Sequence, residues 1–254
     1  MRHAVIVLVA VCCFATFSLS QTADELIAKN IHAKGGMEKI KAIKTLRMTG
    51  KFEGGGFVAA TSQENQRPNL VREALTLQGM TAVQAYDGTT GWQIQPFGGK
   101  KDPELMGEDD LRDLLLDADF DGPLVDYKEK GNTVEYLGHD TVDGDDALRL
   151  KVTLKNGDIL YYYLDPDTFI EIRKEIQQFI RGSVRERVMG YGSYKPVLGV
   201  MFPFSISQGT KSNPEAQTVT VQKMEANVPI DPADFALPAS LRTEEKKSGI
   251  VGIH

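Results

Sequence analysis

The most restrictive pattern in the chain lies between residues 147 and 164. Leu148, Leu150, Val152 and Leu154 alternate with Arg149, Lys151, Thr153 and Lys155. That period of two predicts a strand with one buried and one wet face. Asn156-Gly157 follows, the dipeptide best suited to a two-residue hairpin. The return strand, 158–164, carries Tyr161-Tyr162-Tyr163 and is bulky on both faces. Such a hairpin commits the chain to antiparallel sheet, because parallel neighbours need a long crossover.

The same period recurs on both sides. Strands are predicted over 46–53, 57–66, 70–78, 81–86 and 92–96, punctuated by Gly54-Gly55-Gly56 and Pro68-Asn69. Asp87-Gly88 makes a turn flanked by Tyr86 and by Trp92, the only tryptophan. Residues 97–103 read as loop. Further strands are expected over 133–137, 169–180, 183–191, 200–207 and 218–225, with 230–238 extended.

Two helical stretches interrupt the sheet pattern. Thr22-Ala23-Asp24-Glu25 fits a capping box, and Leu26, Ile27 and Ile31 follow at helical spacing until Gly35-Gly36, with a short second turn over 37–43. Residues 108–117 crowd acids into their first turn and carry Leu111, Leu114 and Leu115 as an apolar stripe. Amphipathic helices must cover something apolar, so both are expected on the sheet. The fold expected is one long antiparallel sheet curled around its helices.

Met1-Arg2-His3, an apolar run over 4–17 and Ser18-Leu19-Ser20 form a secretory signal peptide, too short to span a membrane. Residues 1–20 are therefore expected to be removed, leaving a domain over 21–240 and a flexible tail over 241–254. Both cysteines, Cys12 and Cys13, fall inside the signal segment, so a mature chain would have no thiol chemistry. Lipid anchoring is a second reading, although Val11 before Cys12 is not the small residue such a signal wants. With 41% hydrophobic and 25% charged residues and a net charge of −6, the chain is globular and lacks a basic nucleic-acid footprint.

Catalytic patterns are sparse. His32, His139 and His254 are far apart, His139 in an expected turn at Gly138-His139-Asp140, and no metal-ligand spacing is present. No G-x-S-x-G occurs, and the glycine clusters lack a phosphate-loop Lys-Ser/Thr. Asp117-Ala118-Asp119-Phe120-Asp121-Gly122 copies the opening of an EF-hand loop, but Lys128 stands where a bidentate glutamate is required. A helix end followed by an acidic turn is the better account of the run. No metal, cofactor or enzymatic activity is therefore expected. What remains is apolar bulk, which suits either a dry core or a greasy cavity. Burying an acyl chain gains about 0.8 kcal/mol per CH₂ and needs no specific polar contact.

Tyr86-Asp87-Gly88-x-x-Gly91-Trp92, Gly199-Val200-Met201-Phe202-Pro203 and Asn227-Val228-Pro229-Ile230 with Phe235 and Pro238 occur in an order that resembles the outer-membrane lipoprotein-sorting, LolA-like family. The likeness spans residues 22–238. It implies an unclosed β-barrel of about eleven strands, with helices as a lid over a hydrophobic cavity. It implies a periplasmic carrier that shields lipoprotein acyl chains between an inner-membrane release complex and an outer-membrane acceptor. The alternative is an envelope sensor or assembly module that uses the same fold to bind lipid or a protein. The expected cavity residues are Phe57, Tyr86, Trp92 and Ile94 from the sheet, Leu111, Leu114 and Leu115 from the lid, and Tyr161 and Tyr163 from the second half. The family's lid-latching arginine has no match here; Arg47 and Arg72 fit no motif.

Overall fold

The computed structural model describes residues 22–242. The expected signal segment, and the part of the expected tail beyond Arg242, lie outside the described residues. Helix α1, Ala23–Ala33, starts with the expected box: Thr22 Oγ1 accepts from Glu25 N–H (3.2 Å) and the Glu25 carboxylate accepts from Thr22 N–H (3.0 Å). Gly35 then separates α1 from α2, Met37–Ala42. Its φ is +119°, and a Cβ there would sit 2.2 Å from the Gly199 carbonyl oxygen, so only glycine fits this close approach.

Six strands follow as a meander: β1 Thr45–Gly54, β2 Phe57–Gln66, β3 Leu70–Leu77, β4 Met80–Tyr86, β5 Gly91–Gln95 and β6 Lys100–Leu105. Helix α3, Glu108–Ala118, comes next. A second meander holds β7 Thr133–Val142, β8 Asp145–Thr153, β9 Ile159–Leu164, β10 Glu171–Ile180 and β11 Ser183–Gly192. A small ribbon of β12, Lys195–Val197, and β13, Val200–Phe202, precedes β14, Ser205–Thr210, and the long β15, Asn213–Ala226.

The sheet order is β6-β5-β4-β3-β2-β1-β15-β14-β11-β10-β9-β8-β7. It is the expected unclosed antiparallel sheet, with thirteen strands among the described residues rather than about eleven. One long-range pairing, β15 on β1, welds the two meanders together. Strands β6 and β7 are left as edges, and the segment that links them in sequence carries α3. That topology requires α3 and residues 119–132 to travel from one open edge to the other.

Three sequence expectations are corrected. Residues 100–103, read as loop, belong to edge strand β6; Lys, Asp and Pro suit an edge because they discourage further pairing. The single strand expected over 200–207 is broken at Pro203, so β13 joins the ribbon and only β14 enters the large sheet. His139 lies in β7, not in a turn: Gly138 takes a φ of +95° at a bulge, and the ladder continues beyond it. His139 Nδ1 meets the Asp146 carboxylate of β8 at 2.8 Å.

The main core forms where α1 lies on the second meander. Leu26 and Ile27 pack against Leu148, Leu150, Val152, Leu160, Leu164 and their neighbours. These are the alternating residues of the opening pattern, so its apolar face is the one that holds the helix.

Candidate functional site

Register decides what faces the interior. On β9, Leu160, Tyr162 and Leu164 point toward α1, so Tyr161 and Tyr163 fall on the opposite face. There Arg149 stacks over both rings, 4.4 Å and 5.5 Å from their centroids. Trp92 and Ile94 also face outward from the cavity side and pack with Val83, Ala85, Leu237 and Leu241. The Trp92 indole N–H donates to the Phe235 carbonyl (3.0 Å) and is buried, 7% exposed. Leu241, assigned by the sequence to the tail, is therefore part of a core that pins the C-terminal segment to the sheet. Phe57 is 37% exposed beside Phe52, at a ring separation of 5.5 Å.

Tyr86, Leu111 and Leu114 do come together, with Val71, Met106 and Ala118, where α3 sits on β3 and β4. Leu114 is 2% exposed and Leu115 is 38% exposed. Of the nine expected cavity residues only Leu114 borders cavity space. For Trp92, Ile94, Tyr161 and Tyr163 the physical reason is the period of two: a one-residue error of facing moves a whole strand's side chains to the other side.

Because Trp92 lies on the face away from the cavity, Trp92→Phe tests its role as a rivet. Loss of the buried N–H partner of Phe235 should cost about 1–3 kcal/mol in urea unfolding. Emission of this sole tryptophan should be poorly quenched by iodide and unmoved by ligand. Strong quenching in the native protein would overturn this placement.

The interior itself consists of three adjoining cavities of about 210, 370 and 750 Å³. Gln84 of β4 and Arg187 of β11 line the same one, although six strand spacings, roughly 29 Å in a flat sheet, lie between their strands. The sheet must therefore curl, and the cavities occupy its concave side. The smallest is largely apolar, with Ile40, Leu46, Met48, Leu124 and Met189 in its wall. Of the other two, the middle one is also mainly apolar and the largest is mainly polar. Gln63, Gln84, Gln93, Gln95, Gln208 and Gln217 all line them. Register explains the concentration: Gln63, Glu73, Gln84, Gln93 and Glu104 are successive cross-strand partners from β2 to β6. No single strand displays that row in its sequence.

Helix α3 closes the concavity by holding both halves of the sheet. Its leucines grip β3 and β4. Its polar flank reaches the second meander: Asp113 accepts from Arg185 and Arg187 at 2.8 Å each, Asp109 from Arg181 at 3.1 Å, and Arg112 pairs with the buried Asp158. These latching groups escaped the sequence reading. Asp109 and Asp113 are four residues apart on one helix flank, and Arg185 and Arg187 are two apart on one strand face, so complementary stripes are present in the sequence. Arg47 instead pairs with Glu64 and the Pro229 carbonyl.

The acidic run at the end of α3 disperses. Asp119 pairs with Lys130 (2.6 Å), Asp121 with Arg67 (2.6 Å), and Asp117 opens onto all three cavities. Across from it stands Glu73, whose carboxyl is pushed up to about 8 by burial and then by the nearby negative charge of Asp117. Burial also raises Asp117. Lys174 stays protonated: burial works against its charge, but Tyr191, Asp117 and Glu171 outweigh that.

No family model and no curated protein matches the sequence. Solved structures do match in shape. A LolA superfamily protein from Nitrosomonas europaea superposes with a TM-score of 0.55 at 11% identity, over 86% of this chain and 99% of that one. A DUF1329 family protein from Desulfovibrio piger gives 0.55 at 11%, over 84% and 96%. At such identities the likeness is one of architecture: this chain has the unclosed, helix-capped antiparallel sheet that the LolA superfamily structure has.

Proposed function

We propose that the protein is a periplasmic binding module that takes an amphipathic molecule into the concavity beneath α3, to sense or hold it. The observation that carries this reading is the gradient of the interior, apolar beside α2 and polar, lined with glutamine, in the largest cavity under α3. A carrier of lipoprotein acyl chains gains its affinity from apolar burial, about 0.8 kcal/mol per CH₂. Glutamine amides stripped of water by a hydrocarbon tail would oppose that gain. A ligand with one tail and a polar head suits both ends. The periplasmic location rests on the basic–apolar–small pattern of residues 1–20 and on the shape shared with a LolA superfamily protein. No catalytic step is assigned.

Native mass spectrometry of the secreted protein tests this reading. Saturable uptake of one single-chain amphiphile per protein is expected. A clean apo mass with no uptake of a fluorescent fatty acid or lysolipid would overturn it, and a stable protein partner captured without lipid would favour protein sensing. Uptake of several chains together would restore the acyl-chain carrier.

A further inference from the structure

Charged groups in this interior are otherwise matched. Asp113 has Arg185 and Arg187, Asp119 has Lys130, Asp121 has Arg67, Asp158 has Arg112, and Lys34 has Glu171. Asp110 is left over too, but it lies at the start of α3 and borders only the largest cavity. Three further groups stand apart. Among the described residues, the carboxylates of Glu73 and Asp117 accept no hydrogen bond and have no cation within ion-pair distance. Lys174 has no carboxylate within 4 Å either; its ammonium lies over the rings of Tyr162 and Tyr191, at 6.0 and 5.6 Å. All three line cavity space: Lys174 the smallest cavity, Glu73 the two larger ones, and Asp117 every one. A ligand cation could ionise and bridge the two carboxyl groups, and a ligand anion could meet the Lys174 ammonium, because a complementary charge offsets the desolvation of an ionised group.

Resting on the amphiphile reading above, we infer that the headgroup recognised here is zwitterionic, a primary ammonium held between Glu73 and Asp117 and an anionic group held by Lys174. The surroundings agree. Gln63 and Gln84 flank Glu73 across the strands and supply neutral hydrogen-bonding groups on either side. The apolar cavity begins beside Lys174 and Asp117, so a tail leaving the anionic group enters it directly. A phosphoethanolamine head on one acyl chain has this order of groups. A phosphoglycerol head lacks the cation, and a choline head lacks the N–H donors that a carboxylate pair rewards.

Proton linkage gives an independent signature. Glu73 faces Gln63 and Gln84 on its neighbouring strands, Asp113 and Asp117 on α3, and Arg187 on β11. With its carboxyl raised to about 8, it is largely protonated in the empty protein at neutral pH. An ammonium ligand must displace that proton, so affinity should rise as pH climbs from about 6 to about 8 and then level off.

The test compares lysophosphatidylethanolamine, lysophosphatidylglycerol and lysophosphatidylcholine of one chain length by calorimetry on the secreted protein. The ethanolamine lipid should bind about tenfold more tightly than either other lipid, through charge-assisted hydrogen bonds. Glu73→Gln with Asp117→Asn should erase that preference and flatten the pH dependence while phosphatidylglycerol-type binding persists. Lys174→Met should weaken all three. Both carboxamide replacements keep the shape of the side chains they replace, so a melting temperature close to the parent's will verify folding. Equal binding of the three lipids, or a preference untouched by the carboxamides, overturns the headgroup inference and leaves the amphiphile reading standing. Binding of none overturns the reading itself.

Discussion

Arg112→Met is expected to lower folding stability by about 3–5 kcal/mol, the usual cost of orphaning a buried charge. Asp158 is 1% exposed and sits at the start of the β9 hairpin strand. Asn156 and Gln178 donate to it at 3.0 and 3.3 Å, but neither is charged. Arg112 supplies the only countercharge within ion-pair distance among the described residues, and its other arm donates to the Phe179 carbonyl at 2.9 Å. The substitution leaves the carboxylate buried and removes one clamp between α3 and the second meander. Urea unfolding should show the loss as a lower midpoint. Hydrogen exchange over residues 108–118 should quicken, because the helix has fewer ties across the concavity. Combining Arg112→Met with Asp158→Asn removes the orphaned charge, so the double variant should be more stable than Arg112→Met alone. A double variant that is less stable would show that the charge is not the source of the penalty.

Arg67→Ala should be the next most damaging change, at roughly 3 kcal/mol. This guanidinium binds Asp121 with both forks, at 2.7 and 2.6 Å, and donates to the carbonyls of Ile43 (2.7 Å) and Ile40 (3.0 Å). It thereby joins the end of α2, the end of β2 and the segment after α3, and its plane lies 4.8 Å from the Phe120 ring centroid. Lys41 stands 3.5 Å from the same carboxylate and moderates the loss. Arg67→Lys should recover only part of it, since a single ammonium cannot span a carboxylate and two carbonyls. Because Ile40, Ile43 and Asp121 wall the apolar cavity, Arg67→Ala should also weaken amphiphile uptake. Unfolding midpoints for the three proteins, measured alongside lysolipid binding, check both effects. Full recovery by lysine would show that charge alone suffices.

Much of the architecture is legible in the residues. The capping box at Thr22, the break at Gly35-Gly36, the 57–66 strand and the Asn156-Gly157 hairpin each follow from local chemistry, and each is where its pattern puts it. Strand β6 was hidden because an edge strand need not alternate; it has one apolar side chain in six residues. The bulge at Gly138 imitated a turn because both use a glycine at positive φ. The site was much less legible. Aromatic and leucine content pointed to Trp92, Tyr161 and Tyr163, but those rings build outer cores, and the interior belongs to glutamines that sequence patterning discounts as surface.

Alternation within one strand names two faces and cannot say which of them is enclosed. Local periodicity and turn chemistry were therefore enough to determine an antiparallel sheet with covering helices. The closure of β1 on β15, the curl of the sheet and the passage of α3 between its open edges depend on contacts between residues as distant in sequence as Leu46 and Ala226, which local patterns do not reveal. The turn at Asp87-Gly88 shows the division plainly: the sequence alone places Tyr86 and Trp92 on either side of it. Only the tertiary structure puts Tyr86 under α3 and Trp92 under the C-terminal segment, because only packing from distant elements distinguishes the two faces of a strand.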